Sequence, residues 1–419
     1  MSSLLQEYAT RHFSLFSTEC VPLSQNITSS SMQLIEVTNV QQARAFNDMA
    51  RDIYANDKNW IQPLRQDIEA VFDRNKNPFF QQGDAIRWLL YNPQGNVIGR
   101  VAAFYRNAPV SDEEIAAGGM GFFECINDTE AAFLLFDACK NWLEKYGFNA
   151  MDGPINFGER DRWWGLLVDG FLPPVYGMFY HPAYYQNLFE SYGFQMYFKQ
   201  FTFGRKVDTP MQERFERYAQ RILDNQDFHF TTATEKSLSD YAEDFRIIYN
   251  AAWGHSFENF KPITAEKAQS LFKKMKPIID TSCIVFGYHQ QKPIAFYISL
   301  PEINQIVTHL HGNLNWWGKL KFWWLQRNGT VNRLLGLIFG VVPEFQKKGI
   351  EGALIKTMGN SIQYKGKYLY TELNWIGDFN PKMITVTRLL EAEKIKTHHT
   401  YRFLFDRNRP FERLAIHNS

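Results

Sequence analysis

The sequence predicts a mixed α/β protein built from two similar halves, each a mixed, mostly antiparallel twisted sheet with helices on both faces. Three observations lead there. A length of 419 residues exceeds one average domain and suits two. Apolar residues make up 45% and charged residues 21%, a balance that buries a large core. One order of elements occurs twice: strand, helix or helices, hairpin, strand, long helix, strand, helix, strand. A repeat of that size means two copies of a fold rather than a solenoid.

Residues 1–31 become Ser/Thr/Gln-rich and read as a loosely ordered tail. The first half, 32–207, opens with a strand at 34–37 and a helix over 39–54 carrying Phe46, Met49, Ala50 and Ile53 on one face. Asn75-Lys76-Asn77-Pro78 breaks the mixed segment 63–80. Strands at 86–91 and 97–105 flank Asn92-Pro93-Gln94-Gly95-Asn96, a hairpin signal. A Gly-rich strand runs from 118 to 126, and Asp128 or Thr129 caps a helix to 146 with Leu135, Cys139 and Trp142 along its buried stripe. A strand at 148–155, a loop at 165–174, a helix at 182–191 and a strand at 194–203 complete this half.

In the second half, 208–419, Asp208-Thr209-Pro210 predicts a helix over 211–223 with proline at its first position. A strand at 228–232 and helices at 237–252 and 264–275 precede a hairpin, 283–288 with 294–300. An aromatic insertion covers 304–335. Strand and helix then meet across 337–355, followed by a strand at 368–375, a helix at 381–392 and a strand near 400–405.

Aromatics at 16% fit either ring-heavy cores or an apolar groove for a long or flat ligand. A formal charge of +1 gives no basic face for nucleic acid. Cys20, Cys125, Cys139 and Cys283 are far apart, without paired ligand spacing, which suits a reduced, cytoplasmic protein. No basic region precedes Leu4-Leu5, so no signal peptide is read, and no apolar run approaches the ~20 residues of a spanning helix.

The stretch from Leu337 to Ile355 carries the functional signal. An apolar run of strand length stops at Pro343, and Gln346-Lys347-Lys348-Gly349 joins it to a helical pattern. A buried strand feeding a helix through a Gly-bearing turn leaves free N–H groups at the helix start, a seat for phosphate.

That order of elements, with a Gln-x-x-Gly turn after the fourth strand, resembles the GNAT superfamily of acyl-CoA-dependent N-acyltransferases. In that family the turn reads Arg/Gln-x-x-Gly-x-Gly/Ala, and its amides bind the coenzyme A pyrophosphate. Gln346 and Gly349 match; Glu351 replaces the last small residue and Gly352 follows it. The resemblance implies pyrophosphate binding by Gln346, Lys347, Lys348, Gly349 and Gly352, and pantetheine pairing by Val341 and Val342. It implies acetyl-CoA or another acyl-CoA as co-substrate, no metal, a small-molecule or lipid-like amine as acceptor, and a monomer or homodimer. The first half resembles a degenerate copy, because Glu124 to Glu130 at the equivalent junction has no glycine and several acids, which would repel a pyrophosphate.

Amine acylation by a thioester requires the thioester held, its carbonyl polarised and the amine deprotonated. Along 368–375, Tyr368, Tyr370, Glu372 and Asn374 alternate with Leu369, Thr371, Leu373 and Trp375, making one face polar. Glu372 is the candidate base, directly or through water. Asn374 and Asn380 are candidates for holding coenzyme or thiol, against turn and cap chemistry. Extended, Thr308-His309-Leu310-His311 would put both imidazoles on one side; without a third ligand, a substrate contact or a surface pair is favoured over zinc. Three readings fit the stretch from Leu314 to Arg327, including Trp316: a helix packed on the sheet, which is favoured, a wall for a long acyl chain or lipid, and an interfacial membrane helix. Arg162, in Arg160-Asp161-Arg162-Trp163-Trp164, is a candidate for a polar substrate end or an exposed ion pair. The resulting expectation is an acyl-CoA-dependent N-acyltransferase, with a non-catalytic coenzyme-binding protein and a peripheral lipid-directed acyltransferase as alternatives.

Overall fold

A computed structural model describes residues 31–107, 115–233, 238–254 and 262–414. Apart from Ser31, the expected tail lies outside them. The first half runs β1 (Gln33–Glu36), α1 (Val40–Asp48), α2 (Ala50–Ile53), α3 (Arg65–Phe72), β2 (Gly83–Tyr91), β3 (Val97–Arg106), β4 (Ala117–Cys125), α4 (Thr129–Glu144), β5 (Ala150–Gly153), β6 (Leu166–Asp169), α5 (Tyr185–Tyr192) and β7 (Gln195–Lys206). The second runs α6 (Glu213–Leu223), β8 (Phe228–Thr232), α7 (Leu238–Trp253), α8 (Ala265–Met275), β9 (Ile284–His289), β10 (Lys292–Pro301), α9 (Asn304–Val307), α10 (Trp316–Arg327), β11 (Arg333–Val341), α11 (Ile350–Lys365), β12 (Tyr370–Gly377), α12 (Pro381–Leu389) and β13 (Glu393–Leu404).

Local chemistry sets the ends of these elements. Asn39 and Gln42 form a reciprocal box at the start of α1: the Asn39 side chain accepts the Gln42 N–H, and the Gln42 side chain accepts the Asn39 N–H. Asp128 accepts the Ala131 N–H and starts α4. Gly193, at φ +109°, ends α5 in the left-handed conformation that glycine enters without a Cβ penalty. The single helix expected over 39–54 divides at Met49, and the loop expected at 165–174 contains β6. The helix expected from Met211 starts later, at Glu213, because Gln212 donates its N–H to Leu389 O and Arg205 holds Thr209 O, keeping residues 209–212 out of the helix.

The strands form one continuous sheet in the order β1-β2-β3-β4-β5-β13-β7-β12-β11-β10-β9-β8, with β6 also on β13. Among the described residues, only β4–β5 and β11–β12 pair in parallel. The two halves repeat each other as far as β5 and β12. Their last strands are then exchanged: β13, from the end of the chain, pairs with β5 on one edge and β7 on the other, while β7 pairs with β12. Helices cover both faces. In the first half, α4 and α5 pack Phe136 and Phe189 against Phe123 and Phe194, with ring centroids 4.8 to 5.3 Å apart. In the second, α11 covers one face through Ile350, Leu354, Met358 and Ile362, and α7 with α8 covers the other through Phe245, Ile248 and Phe272.

The favoured reading of the aromatic insertion is corrected. Helix α10 makes its apolar contacts with the body along Gly318, Phe322 and Leu325, while Trp316, Trp317, Leu320, Trp323 and Trp324 are exposed.

Because β5 and β7 both need β13, residues 32–207 expressed alone will have facing unpaired edges. Separately expressed halves are expected to lack a cooperative thermal transition, and the halves co-expressed as two chains to copurify. A cooperative transition for 32–207 alone, followed by circular dichroism, contradicts this exchange.

Candidate active site

Strands β11 and β12 lie side by side from Arg333 opposite Tyr370 to Gly336 opposite Leu373, and then separate. A bulge in β12 drives the separation: its register on β7 shifts between Leu373 and Ile376, and Trp375 takes φ +52°. The resulting V holds a cavity of about 80 Å3 lined by Gly336, Ile338, Phe339, Asn374, Ile376 and Met383 among others. Within it, Asn374 Oδ1 is buried with no hydrogen-bond partner among the described residues. A buried amide oxygen with nothing to accept costs about 1–3 kcal/mol, so it marks a place for a ligand donor.

The open end of the V leads to the Gln346–Gly349 turn. Gln346 donates its side-chain amide to Val341 O at 3.0 Å, tying the turn to the strand end. Lys347 at φ +62° and Gly349 at φ +88° bring the chain round into α11. Ala353 N–H finds Gly349 O at 3.2 Å, whereas the N–H groups of residues 350–352 precede any helical acceptor. Lys347 and Lys348 are exposed at this turn. Gly352 has a packing role: a Cβ there would press on Ala219 and Phe215 of α6. Glu351 is half-buried in the first turn of α11, and no ion pair among the described residues holds it. The expectation for Val342 needs correction, since its N–H donates to Ile294 O at 2.9 Å and is already used by β10. By strand alternation, Val341 and Phe339 turn their backbone groups toward the V.

At the closed end of the V lies a second cavity of about 270 Å3, which shares Tyr297, Ile355, Leu373 and Leu390 with the first. Val207, Met211, Leu334, Met358 and Ile362 make much of its wall apolar, and the Lys356–Glu216 ion pair (3.0 Å) and Arg205 stand among its polar residues. Residues 208–211, expected to begin a helix, instead line this space. Sequence reasoning missed Tyr297. Its hydroxyl lies 3.2 Å from where a Cβ on Gly336 would stand, at the crotch of the V, and burial pushes its pKa up, so it remains a neutral donor.

The opposite face of β12 carries a buried charge cluster. Glu372 accepts from Lys396 of β13 at 2.6 Å and lies 3.4 Å from Arg333 of β11. Glu372 is 2% exposed and Lys396 1%. Glu302 sits beside them, accepting N–H groups from Tyr176 at 3.0 Å and Asn304 at 2.7 Å. Burial, followed by the Glu372 charge, pushes Glu302 up to about 8 against the opposing pull of those N–H groups. The Tyr176–Glu302 bond joins the first-half loop to the second half. Arg162 stands over the Tyr176 ring at 5.3 Å, and the Tyr176 hydroxyl bonds Asp67 at 2.6 Å. Arg162 therefore belongs to the loop that reaches this cluster.

Other candidates lie elsewhere. Asn380 caps α12, accepting the Met383 N–H at 3.2 Å, which is the cap chemistry weighed against a coenzyme contact. His309 and His311 are not extended side by side; they occupy exposed turns after α9, where Arg51 bonds His311 O and Lys321 bonds His309 O. Trp316 points outward on α10. No cluster of three potential metal ligands occurs among the described residues.

The equivalent V of the first half is filled by its own side chains. Cys125 at the end of β4 donates its N–H to the Tyr185 hydroxyl at 2.7 Å, and Tyr184 donates to Cys125 O at 2.7 Å. Glu124 accepts from Tyr54 and Tyr185 at 2.9 Å each and lies 3.4 Å from Arg100.

A parallel strand pair that splays after its first residues, in each of two linked copies, with an uncapped Gly-led helix above the second, decides the comparison with solved structures. This chain has a tandem GNAT fold. A tandem GNAT protein from the clavulanic acid biosynthesis pathway superposes with a TM-score of 0.52 at 9% identity, covering 90% of this chain and 100% of that one. A GCN5-related glucosamine N-acetyltransferase region of a fungal multi-domain GH3 β-N-acetylglucosaminidase also scores 0.52, at 13% identity, covering 90% of this chain and 38% of that longer one. In sequence, this chain is 24% identical over 383 residues to Protein YghO of Escherichia coli, covering 87% of this chain and 93% of that one. It is also 24% identical over 383 residues to a bacterial ceramide synthase of Caulobacter vibrioides, covering 89% and 98%. No family pattern matches it.

The Glu302 carboxyl binds its proton more tightly in the folded chain, up to about 8 against an ordinary 4.5. Its protonated form is fully present in both states below that ordinary value, so stability falls as pH rises from there through about 8. Glu302→Gln keeps an acceptor for both N–H groups and removes the titration. Urea unfolding of this variant is expected to match the parent near pH 5 and exceed it by roughly 1–3 kcal/mol near pH 8.5. Parallel curves across that range would contradict the assignment.

Proposed function

We propose that this chain transfers a long acyl group from an acyl-CoA thioester to the primary amine of a lipid-like acceptor. The observation that carries the reading is the unpartnered Asn374 Oδ1 inside a V with free helix-start amides at one end and a largely apolar cavity at the other. An acyl-CoA matches those parts in order. Its pyrophosphate suits the amides of 349–352 with Lys347 and Lys348 nearby, its pantetheine amide N–H suits Asn374, and its acyl chain suits the cavity below Leu373. The name of the Caulobacter relative supports the acceptor class, since a ceramide is the fatty amide of a long-chain amino alcohol.

In this reading the acceptor amine arrives on the face of β12 that carries Glu372. The amine nitrogen attacks the thioester carbonyl, a C–N bond forms, and the C–S bond breaks. Glu372, between Lys396 and Arg333, takes the amine proton directly or through a water, and the neutral Tyr297 hydroxyl protonates the departing thiolate. The products are the amide and free coenzyme A.

Two variants test the two ends of the reading. At Gly349 a new Cβ would meet nothing closer than Ile222 at 3.5 Å, so Gly349→Asp puts a carboxylate among the amides with little steric cost beyond its φ of +88°. Calorimetric affinity for coenzyme A is expected to fall at least about tenfold. Glu372→Gln is expected to keep that affinity and lose turnover by about 100-fold, with its thermal transition measured alongside because Lys396 loses its charge partner. Undiminished binding by the first variant removes the coenzyme assignment, and undiminished turnover by the second removes the proton role.

A further inference from the structure

Helix α10 plays no part in the acyl-transfer site, and its composition is unlike that of any other helix in the chain. It spans Trp316–Arg327, caps on Asn315, and contains no acidic residue. Trp316, Trp317, Trp323 and Trp324 are 50% to 69% exposed, and Leu320 is 46% exposed. At 3.6 residues per turn these five side chains fall within one arc of about 120°, with Lys319 and Lys321 each about 40° beyond one border. The opposite side holds Gly318, Phe322 and Leu325, the residues that meet the body. The helix therefore presents a continuous indole face to solvent, edged on both sides by ammonium groups.

The charge around this face is of one sign. Arg327 stands over the Trp323 ring at 4.3 Å, at the end of the arc. Gln326 bonds Pro277 O, which brings the last turn of α8, with exposed Lys273, Lys274 and Lys276, alongside. Lys321 donates to His309 O, so its charge is undiminished by a carboxylate. No ion pair among the described residues holds Lys319, Lys321, Arg327, Lys273, Lys274 or Lys276. The acids placed near this end, Asp48 and Asp280, are already paired, with Arg65 at 2.7 Å and Lys367 at 3.1 Å.

Exposed tryptophans in water are costly, whereas indoles at the headgroup level of a bilayer are stable, with flanking lysines and arginines reaching anionic headgroups. A protein partner for such a face would need to bring carboxylates to match six or more cations, which a bilayer containing anionic lipid supplies without any specific partner. The helix cannot span: no helix among the described residues is long and apolar enough to cross a membrane, and α10, with 12 residues, is about 18 Å long. The geometry points to α10 as an in-plane anchor that docks this protein on an anionic lipid bilayer surface through Trp317, Leu320, Trp323 and Trp324, with Lys319, Lys321 and Arg327 at the headgroups.

The anchor's position has a consequence for the site. Residues 328–332 lead from α10 straight into β11, whose far end reaches the Gln346–Gly349 turn. At ~3.3 Å per residue that strand separates the two by about 26 Å. Docked by α10, the chain holds the closed end of the V and the Glu302–Arg333 end of the sheet near the lipid, and keeps the coenzyme turn in water.

Flotation of the full chain with lipid vesicles, in the absence of any acyl donor, tests the anchor independently of the acyl-transfer reading. The parent is expected to float with phosphatidylcholine vesicles containing phosphatidylglycerol, and less with phosphatidylcholine alone. The triple variant Trp317→Ser, Trp323→Ser, Trp324→Ser changes exposed positions only and is expected to lower partitioning at least about tenfold with an unchanged thermal transition. Lys319→Glu with Arg327→Glu is expected to abolish the gain from phosphatidylglycerol and leave the weaker binding to phosphatidylcholine. Absence of parent flotation on anionic vesicles overturns the proposal, as does undiminished flotation of the triple variant. A parent dimer in sedimentation velocity that the triple variant dissociates, with neither protein floating, would assign the face to a second copy instead.

Discussion

Strand β13 leaves the second half of the chain, crosses to the first, and lies between β5 and β7. This frees β7 to hold the outer edge of β12, and the inner edge of β12 can then diverge from β11 without leaving the sheet open. The V exists because β12 is supported from its other side. The register of β13 is fixed by a charge: Lys396 is buried and has Glu372 as its partner across the sheet at 2.6 Å. A slip of one residue would turn Lys396 to the other face and separate it from Glu372, leaving that carboxylate only the longer Arg333 contact, a cost of several kcal/mol. One ion pair thus ties the exchange of strands to the strand that borders the site.

The two copies use the same frame in opposite ways. In the first, the end of β4 is closed by hydroxyls from Tyr184 and Tyr185, and the Glu124 carboxylate between Tyr54, Tyr185 and Arg100 fills the space beyond. The Glu124 carboxylate and both Cys125 backbone groups thus have partners from within the chain. In the second, the corresponding strand end meets a glycine-led helix, and Asn374 Oδ1 is left without a partner among the described residues. That contrast supports the proposal that the first copy serves as a support and the second as the binding site.

Much of the fold was legible because its signals are local. The Asn92–Asn96 hairpin, the Asp128 cap and the Gln346–Gly349 turn each depend on residues close in sequence, and each lies where the sequence reading put it. The exchange of β13 was not legible, since alternation along 393–404 suits a strand beside any neighbour. The charge cluster was equally hidden: Glu302, Arg333, Glu372 and Lys396 come from four strand ends far apart in sequence, and only the sheet order brings them together. For Asn380 the sequence offered two chemistries, and the structure uses its side chain as a helix cap. Helix α10 was misjudged for a plain reason: tryptophan content predicts burial on average, but the Gly318, Phe322 and Leu325 edge already supplies the contact with the body.

The central claim, acyl transfer from coenzyme A to a lipid-like amine in the second V, is most directly tested by turnover. The purified full chain would be incubated with palmitoyl-CoA and a long-chain 2-amino alcohol, with amide followed by mass spectrometry and free thiol by titration. The expected result is amide and thiol in equal amounts, dependent on both substrates and reduced when a short, water-soluble amine replaces the long-chain one. Coenzyme binding without thiol release across a panel of long-chain amines and acyl lengths would contradict it.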